Sequence, residues 1–160
     1  MNDIMDKPFC ACSTPGGASG IAVIRLSGAN SSLVADKVIK IIRSSGDYKS
    51  VSEMPGYTCA FAHVIDSATN QDIDDVVVTR FVPPYSYTGE ELVEISCHGG
   101  SCVKQEILRV LIEAGARVAE PGEFTKRAFL NGKMDLSQAE AVMELIDSSS
   151  EYARVSAINQ

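Results

Sequence analysis

Three charged residues stand where the sequence makes a freely solvated charge less expected. Arg25 lies within the apolar run 21–26, and Glu94 lies within the apolar run 92–95. Lys133 directly follows a predicted helix stop. A charge that is buried in a sheet without a partner is costly. Two hypotheses stay open: Arg25 and Glu94 face solvent or pair with each other, or the three residues line a polar ligand pocket with one anion acceptor and two cations.

Two glycine-rich turns could bring backbone groups close to a ligand. The loop 15–20 leads into a strand, whereas a phosphate-binding loop needs a following helix N-terminus. The turn 98–100, His-Gly-Gly, precedes a predicted helix, whose first N–H groups can face an anion or a polar ligand edge. A strand-to-helix turn kept small for packing is the alternative. Neither a Walker A pattern nor a GxSxG pattern occurs, so the sequence predicts no nucleotide-hydrolysis site and no catalytic residue.

The five cysteines are an odd number, which predicts free thiols in a reducing compartment. Cys97, His98 and Cys102 lie close together, but no CxxC or HxxxH pair accompanies them, so no metal site is predicted. A further hypothesis is that Cys97 and His98 form a nucleophilic pair in an enzyme. It is disfavoured because neighbouring residues of a continuing strand point to opposite faces.

Composition places the chain among globular proteins. Its 160 residues are 45% hydrophobic, which excludes disorder, and its formal net charge is -7, which argues against a domain that grips nucleic acid unaided. No uncharged stretch is apolar enough for a bilayer span, and the N-terminus lacks the features of a secretory signal. These features predict a cytoplasmic protein without a membrane partner.

Apolar periodicity predicts an α+β (mixed α/β) fold, with a mixed sheet, packed helices and a long final helix. The sheet domain is assigned to residues 1–120, and residues 121–160 form a connector and the final helix. The apolar face of that helix continues through Ala153 and Ala157, which suggests a fragment of something longer. The predicted strands lie at 9–12, 21–26, 57–65, 76–82, 91–97 and 116–120. The predicted helices lie at 33–42, 103–114, 123–130 and from a capping box at Ser137–Glu140 onward.

Six strings of the sequence resemble one family. They are STPGGASG at 13–20, IRLSG at 24–28, YTGEE at 87–91, HGG at 98–100, PGEFTKRAFLNGK at 121–133 and DLSQAEA at 135–141. These strings are similar to those of the MnmE (TrmE) family of tRNA modification GTPases. The resemblance spans nearly the whole chain, and the long string at 121–133 is its most specific part.

The resemblance implies a fold similar to the tetrahydrofolate-binding domain of glycine-cleavage T-protein. It implies a homodimer that binds 5-formyltetrahydrofolate or methylene-tetrahydrofolate. From about Leu136 the chain would begin the family's helical domain, which carries an inserted GTPase domain using GTP, Mg²⁺ and K⁺. That domain is absent from this chain, which alone is expected to be inactive. Intact members work with the flavin enzyme MnmG on the wobble uridine of certain tRNAs.

The family's folate contacts match Arg25, Glu94 and Lys133 by position. The amino-pyrimidinone edge of a pterin presents two adjacent N–H donors that Glu94 could accept. Arg25 and Lys133 could pair with the carboxylates of the glutamate tail or with carbonyl oxygens, and the assignment between them stays open. A dimerisation scaffold without ligand binding is the alternative.

Overall fold

A seven-stranded mixed sheet organises the residues that the structure, a computed structural model, describes: 7–17 and 19–158, with side chains to residue 147. The strand order is β3-β4-β5-β6-β2-β1-β7, and every neighbouring pair is antiparallel except β1 and β7. The elements are β1 (Phe9–Cys12), β2 (Ile21–Ser27), α1 (Ser31–Asp36), β3 (Ile39–Ser44), a 3₁₀ turn (Val51–Glu53), β4 (Thr58–Asp66), β5 (Gln71–Phe81), β6 (Leu92–His98), α2 (Ser101–Glu113), β7 (Arg117–Val118), α3 (Glu123–Leu130) and α4 (Leu136–Ile158). The α+β prediction is confirmed.

The hydrophobic core lies between one face of the sheet and helices α1 and α2. On β6, Val93, Ile95 and Cys97 are buried, and α2 contributes Ile107 and Leu111 to the same cluster. The intervening residues of β6 face the other side of the sheet, because side chains alternate along a strand. This second side, called the outer face below, therefore carries the strand residues that a ligand could reach.

Strand register places the two candidate charges of the outer face side by side. Arg25 of β2 is directly opposite Glu94 of β6, with Ala11 of β1 and Thr79 of β5 on either side of the pair. Directly opposed residues of antiparallel strands have Cβ atoms roughly 5 Å apart. The sheet alone therefore brings the arginine and the carboxylate into contact.

The predicted helix over residues 33–42 is wrong in its second half. Helix α1 ends at Asp36, and Ile39–Ser44 form strand β3, which pairs with β4. Isoleucines at 39, 41 and 42 suit a helical spacing and a strand equally well, and pairing with β4 favours the strand. The predicted capping box was also misplaced: Asp135 Oδ1 accepts the N–H of Gln138 at 2.7 Å, and Gln138 Oε1 accepts the N–H of Asp135 at 2.9 Å.

The other predicted elements agree with the structure, including the hairpin formed by β4 and β5. Within the described part of the chain, no helix is both long and apolar enough to cross a membrane. The N-terminal residues 1–6, residue 18 of the glycine-rich loop, and the side chains of Ala153 and Ala157 lie outside the described residues.

Candidate functional site

A cleft of about 410 Å³ opens where the outer face of the sheet meets α3 and α4. Its walls come from the end of β1, Arg25 of β2, Tyr87 of the loop before β6, the turn 119–122, Phe124 and Thr125 of α3, and two apolar residues of α4. This volume lies within the usual range for small-molecule sites, roughly 300–1,000 Å³. The cleft is therefore large enough for an organic ligand, and its lining is mostly apolar with Arg25 at one side.

Arg25 of the cleft wall forms an ion pair with Glu94 on the neighbouring strand β6. Glu94 Oε1 accepts from Arg25 Nε at 3.3 Å and from Arg25 Nη2 at 3.2 Å. The side chains keep 22% and 27% of their surface exposed, so both remain accessible to a ligand. Both contacts go to Oε1, so within the described residues the pair occupies only one of the two carboxylate oxygens.

Two aromatic rings lie close to the Arg25 guanidinium. Its Cζ lies 5.0 Å from the ring centroid of Tyr87 and 5.6 Å from that of Phe124. The hydroxyl of Tyr87 is 2.9 Å from Thr125 Oγ1, and the ring of Phe124 packs on Phe9 with centroids 5.1 Å apart. Each ring thus contacts a neighbouring side chain, Thr125 on α3 for Tyr87 and Phe9 on β1 for Phe124.

A network of partly buried ion pairs fastens α3, which carries Phe124 and Thr125, to the sheet. Glu123 accepts from Arg117 at 2.8 Å and from the N–H of Glu120 at 2.8 Å. Arg127 donates to Glu90 at 2.7 Å. Burial alone would raise the pKa of Glu123, but the Arg117 hydrogen bonds, the Glu120 N–H and the nearby arginine charges outweigh it and hold this pKa below its ordinary value.

Gly122 sets the approach of α4 to the cleft. Its φ of 74° lies in the left-handed region, which favours glycine. A Cβ at this position would also come within 2.6 Å of the sulfur of Met143 on α4. The glycine therefore permits both the turn into α3 and the close packing of α4, which completes the cleft.

Lys133 lies beside this region but outside the ion pair. Its backbone N–H donates to the carbonyl of Ala128 at 2.8 Å, and its side chain is exposed. A Cβ at Gly89 would lie 3.2 Å from Lys133 Cγ, so the lysine stem passes over the loop that carries Tyr87. The structure thus brings Arg25 and Glu94 together and leaves Lys133 on the neighbouring loop, where among the described residues it makes no ion pair.

The turn His98-Gly99-Gly100 packs against the glycine-rich loop. The N–H of Gly99 donates to the carbonyl of Gly20 at 3.3 Å, and a Cβ at Gly99 would lie only 2.1 Å from the carbonyl oxygen of Ser19. These contacts favour the interpretation of this turn as one kept small for packing.

The structure separates Cys97 from His98. Cys97 is buried, and burial, followed by the charge of Asp74, raises the pKa of its thiol to about 11. His98 is exposed on the opposite side and places Nδ1 2.6 Å from Asp74 Oδ1. A nucleophilic thiolate–imidazole pair is therefore not formed here. Among the described residues, no group of three or more His, Cys, Asp or Glu is placed to hold a metal ion.

Sequence reasoning from the residues missed the aromatic side of the site. Tyr87 and Phe124 appeared only within the strings YTGEE and PGEF, as part of the family resemblance. The one available signal was an aromatic residue in each of two segments rich in turn-forming residues. Aromatic residues in such segments are common on loops. Their juxtaposition depends on contacts between segments 37 residues apart, which periodicity does not report.

Comparisons with known proteins agree on one family. The family model described as the N-terminus of the GTP-binding protein TrmE matches residues 8–133. The tRNA modification GTPase MnmE of Caldicellulosiruptor saccharolyticus is 48% identical over 95% of this chain and 32% of its own length. The MnmE of Enterococcus faecalis is 47% identical, again over 95% of this chain and 32% of its own length. The MnmE of Lactiplantibacillus plantarum is 45% identical over 95% and 31%. The chain thus spans about a third of the length of the curated relatives it matches.

Proposed function

Because this chain belongs to the MnmE (TrmE) family of tRNA modification GTPases, we propose that it binds a tetrahydrofolate one-carbon donor in the cleft beside Arg25. The donor is 5-formyltetrahydrofolate or methylene-tetrahydrofolate, held by Arg25, Glu94 and Lys133. The observation that carries the proposal is that Arg25, which pairs with Glu94, lines a mostly apolar cleft of about 410 Å³.

The chemistry of these side chains fits a reduced folate. The amino-pyrimidinone edge of the pterin offers adjacent N–H donors, and Glu94 has a carboxylate oxygen beyond the one that Arg25 contacts. The glutamate tail carries carboxylates, and the mobile ammonium of Lys133 suits such groups near solvent. When bound, the folate supplies a one-carbon unit on its ring nitrogen.

Each of the three residues has a distinct role in this proposal. Arg25 fixes the Glu94 carboxylate on the sheet, since two N–H groups of one planar guanidinium restrain a single oxygen. Glu94 orients the ring edge. Lys133 recognises the tail, because its exposed stem can follow a ligand that projects from the cleft into water.

The assembly and the setting follow from the family. We propose that residues 1–120 form the folate-binding and dimerisation domain and that residues 121–160 connect it to the helical domain. The intact protein would be a cytoplasmic homodimer, with GTP, Mg²⁺ and K⁺ bound in a GTPase domain outside this chain. It would act with an MnmG-like flavin enzyme on the wobble uridine of certain tRNAs.

Calorimetric titration of the chain with 5-formyltetrahydrofolate tests the proposal. Glu94→Gln keeps the shape of the side chain but loses its charge and one acceptor. Hydrogen bonds to a charged group contribute about 1.5–3 kcal/mol each, so the affinity should fall by roughly 10- to 100-fold. The matched control is Glu113→Gln on α2, an exposed carboxylate remote from the lining residues. Equal affinities for wild type and Glu94→Gln would refute the assignment.

A second candidate function is a dimerisation scaffold without ligand binding. The specific observation that favours it is that Arg25 and Glu94 already satisfy one another across β2 and β6. Light scattering that gives a dimer, together with no heat on addition of 5-formyltetrahydrofolate, would support this candidate over the first.

A further inference from the structure

The cleft contains an aromatic slot, defined here as the rings of Tyr87 and Phe124, whose centroids lie 5.0 and 5.6 Å from Arg25 Cζ. All three side chains line the cleft. Tyr87 keeps 37% of its surface exposed, and Phe124 is half-buried, so neither ring is covered by the protein as a core residue would be. The exposed parts of both rings therefore remain available to a ligand.

Charge compensation does not account for the two rings. Glu94 already pairs with Arg25 at 3.2 Å, so the guanidinium does not depend on ring faces for a partner. A flat conjugated ring, in contrast, can stack on aromatic faces and on the plane of a guanidinium alike. The remaining cleft wall includes Ala11, Pro121 and Val142, which suit the apolar faces of such a ring.

We propose that Tyr87 and Phe124 are positioning residues that hold the fused ring of a pterin by stacking, with the amino edge of that ring directed toward Glu94. The inference rests on the proposed function and adds to it the selection of the ring. In this arrangement the charged residues recognise the edge and tail of the ligand, and the aromatic slot recognises its shape.

The slot is fixed before a ligand arrives. Thr125 Oγ1 lies 2.9 Å from the Tyr87 hydroxyl, which ties the loop to α3. Phe124 is backed by Phe9, and the Glu123–Arg117 pair holds the start of α3 to β7. Because these contacts set the spacing of the rings, a ligand need not order them on binding, which favours affinity.

A single-tryptophan reporter tests whether a ring enters the slot. The chain has no tryptophan, so Tyr87→Trp places the only indole at the slot. Pterin-6-carboxylate, which has the fused ring without the tail, should quench this emission in a saturable manner. Tyr57→Trp, at a tyrosine that is 59% exposed and does not line the cleft, corrects for light absorbed by the ligand. Equal quenching of both reporters would count against the slot.

Binding affinity provides the second measurement. Tyr87→Leu and Phe124→Leu should each weaken 5-formyltetrahydrofolate about tenfold, whereas Tyr87→Phe, which keeps the ring but loses the hydroxyl contact with Thr125, should lose less affinity than Tyr87→Leu. p-Aminobenzoylglutamate has the tail without the fused ring, and its affinity should change little in both leucine variants. Thermal unfolding of each variant verifies that the chain is folded.

The outcomes separate this inference from the proposed function. If Glu94→Gln weakens binding of 5-formyltetrahydrofolate as expected but both leucine variants bind it normally, the slot is overturned and the folate site stands. If the leucine variants weaken p-aminobenzoylglutamate as strongly as the whole ligand, the assignment of the fused ring to the slot is overturned. If the wild type binds neither folate nor pterin-6-carboxylate, the proposed function fails and the inference fails with it.

Discussion

The attachment of α3 to the sheet should depend on one carboxylate, Glu123, and Glu123→Gln is the substitution that tests it. Glu123 and its partner Arg117 keep only 8% and 17% of their side-chain surface exposed. Glutamine retains one acceptor but presents an NH₂ group to the guanidinium, so Arg117 loses the hydrogen-bonded carboxylate of Glu123 in a mostly buried position. Removing one member of a buried pair costs about 3–5 kcal/mol, and we expect the lower end because Arg117 retains some solvent contact and the nearby charge of Glu120.

Urea unfolding at about pH 7 measures this loss, and about 3 kcal/mol corresponds to a fall in Tm of roughly 6–12 °C for a chain of this size. The matched control is Glu140→Gln, at an exposed carboxylate of α4, which should change stability by less than about 0.5 kcal/mol. A cost below about 1 kcal/mol for Glu123→Gln would refute the view that this pair secures α3.

The pH dependence of the difference provides an independent check. The pKa of Glu123 is lowered in the folded protein, so its stabilisation is fully present above its ordinary pKa of 4.5 and is lost as the pH falls through the lowered value. Wild type and Glu123→Gln should therefore converge in stability as the pH is reduced from about 7 toward 3. Other carboxylates titrate equally in both proteins and cancel in the difference. A gap that stays constant with pH would contradict the ionic origin of the effect.

Two further predictions concern the thiols and the glycine turn. Iodoacetamide should label the exposed Cys102 quickly and Cys97 only after unfolding, because burial raises the pKa of the Cys97 thiol to about 11. Mass spectrometry locates the labelled residues, and early labelling of Cys97 would contradict this prediction. Gly99→Ala should cost about 2 kcal/mol in chemical unfolding, since its Cβ would overlap the carbonyl of Ser19. Gly100→Ala is the control, because nothing lies within 4 Å of the added carbon, and it should cost less than about 1 kcal/mol. Equal costs would exclude the steric explanation.

Local sequence patterns were sufficient for most of the elements. The hairpin β4–β5 and helix α2 followed from alternating or helical apolar spacing bounded by turn residues, and these signals lie within a few residues of each other. The strand β3 was missed because its isoleucines fit two periodicities. The deciding contact, the pairing of Ile39 with Val64, joins residues far apart in the sequence.

The candidate site was predictable only in part, for the same reason. The residue types of Arg25 and Glu94 indicated that they either pair or bind a ligand, but only the register of β2 against β6 makes them neighbours. The aromatic slot needs a further long-range contact, between the loop before β6 and α3. No local pattern encodes that contact, so Tyr87 and Phe124 could not be assigned to the site from spacing.

Electrostatics on the scale of the whole chain and on the scale of the cleft lead to different expectations. The formal net charge of -7 opposes the approach of a dianionic folate, but salt screens this repulsion beyond about 8 Å at physiological ionic strength. At the cleft, Arg25 of the wall is neutralised by its partner Glu94, and the exposed Glu120 on the same wall offsets Lys133 on the adjacent loop. The local balance is therefore near neutral and supplies little general attraction for an anion. Affinity must then come from directional hydrogen bonds and from stacking. For this reason the aromatic slot, and not the number of cations, should determine which ligand this site accepts.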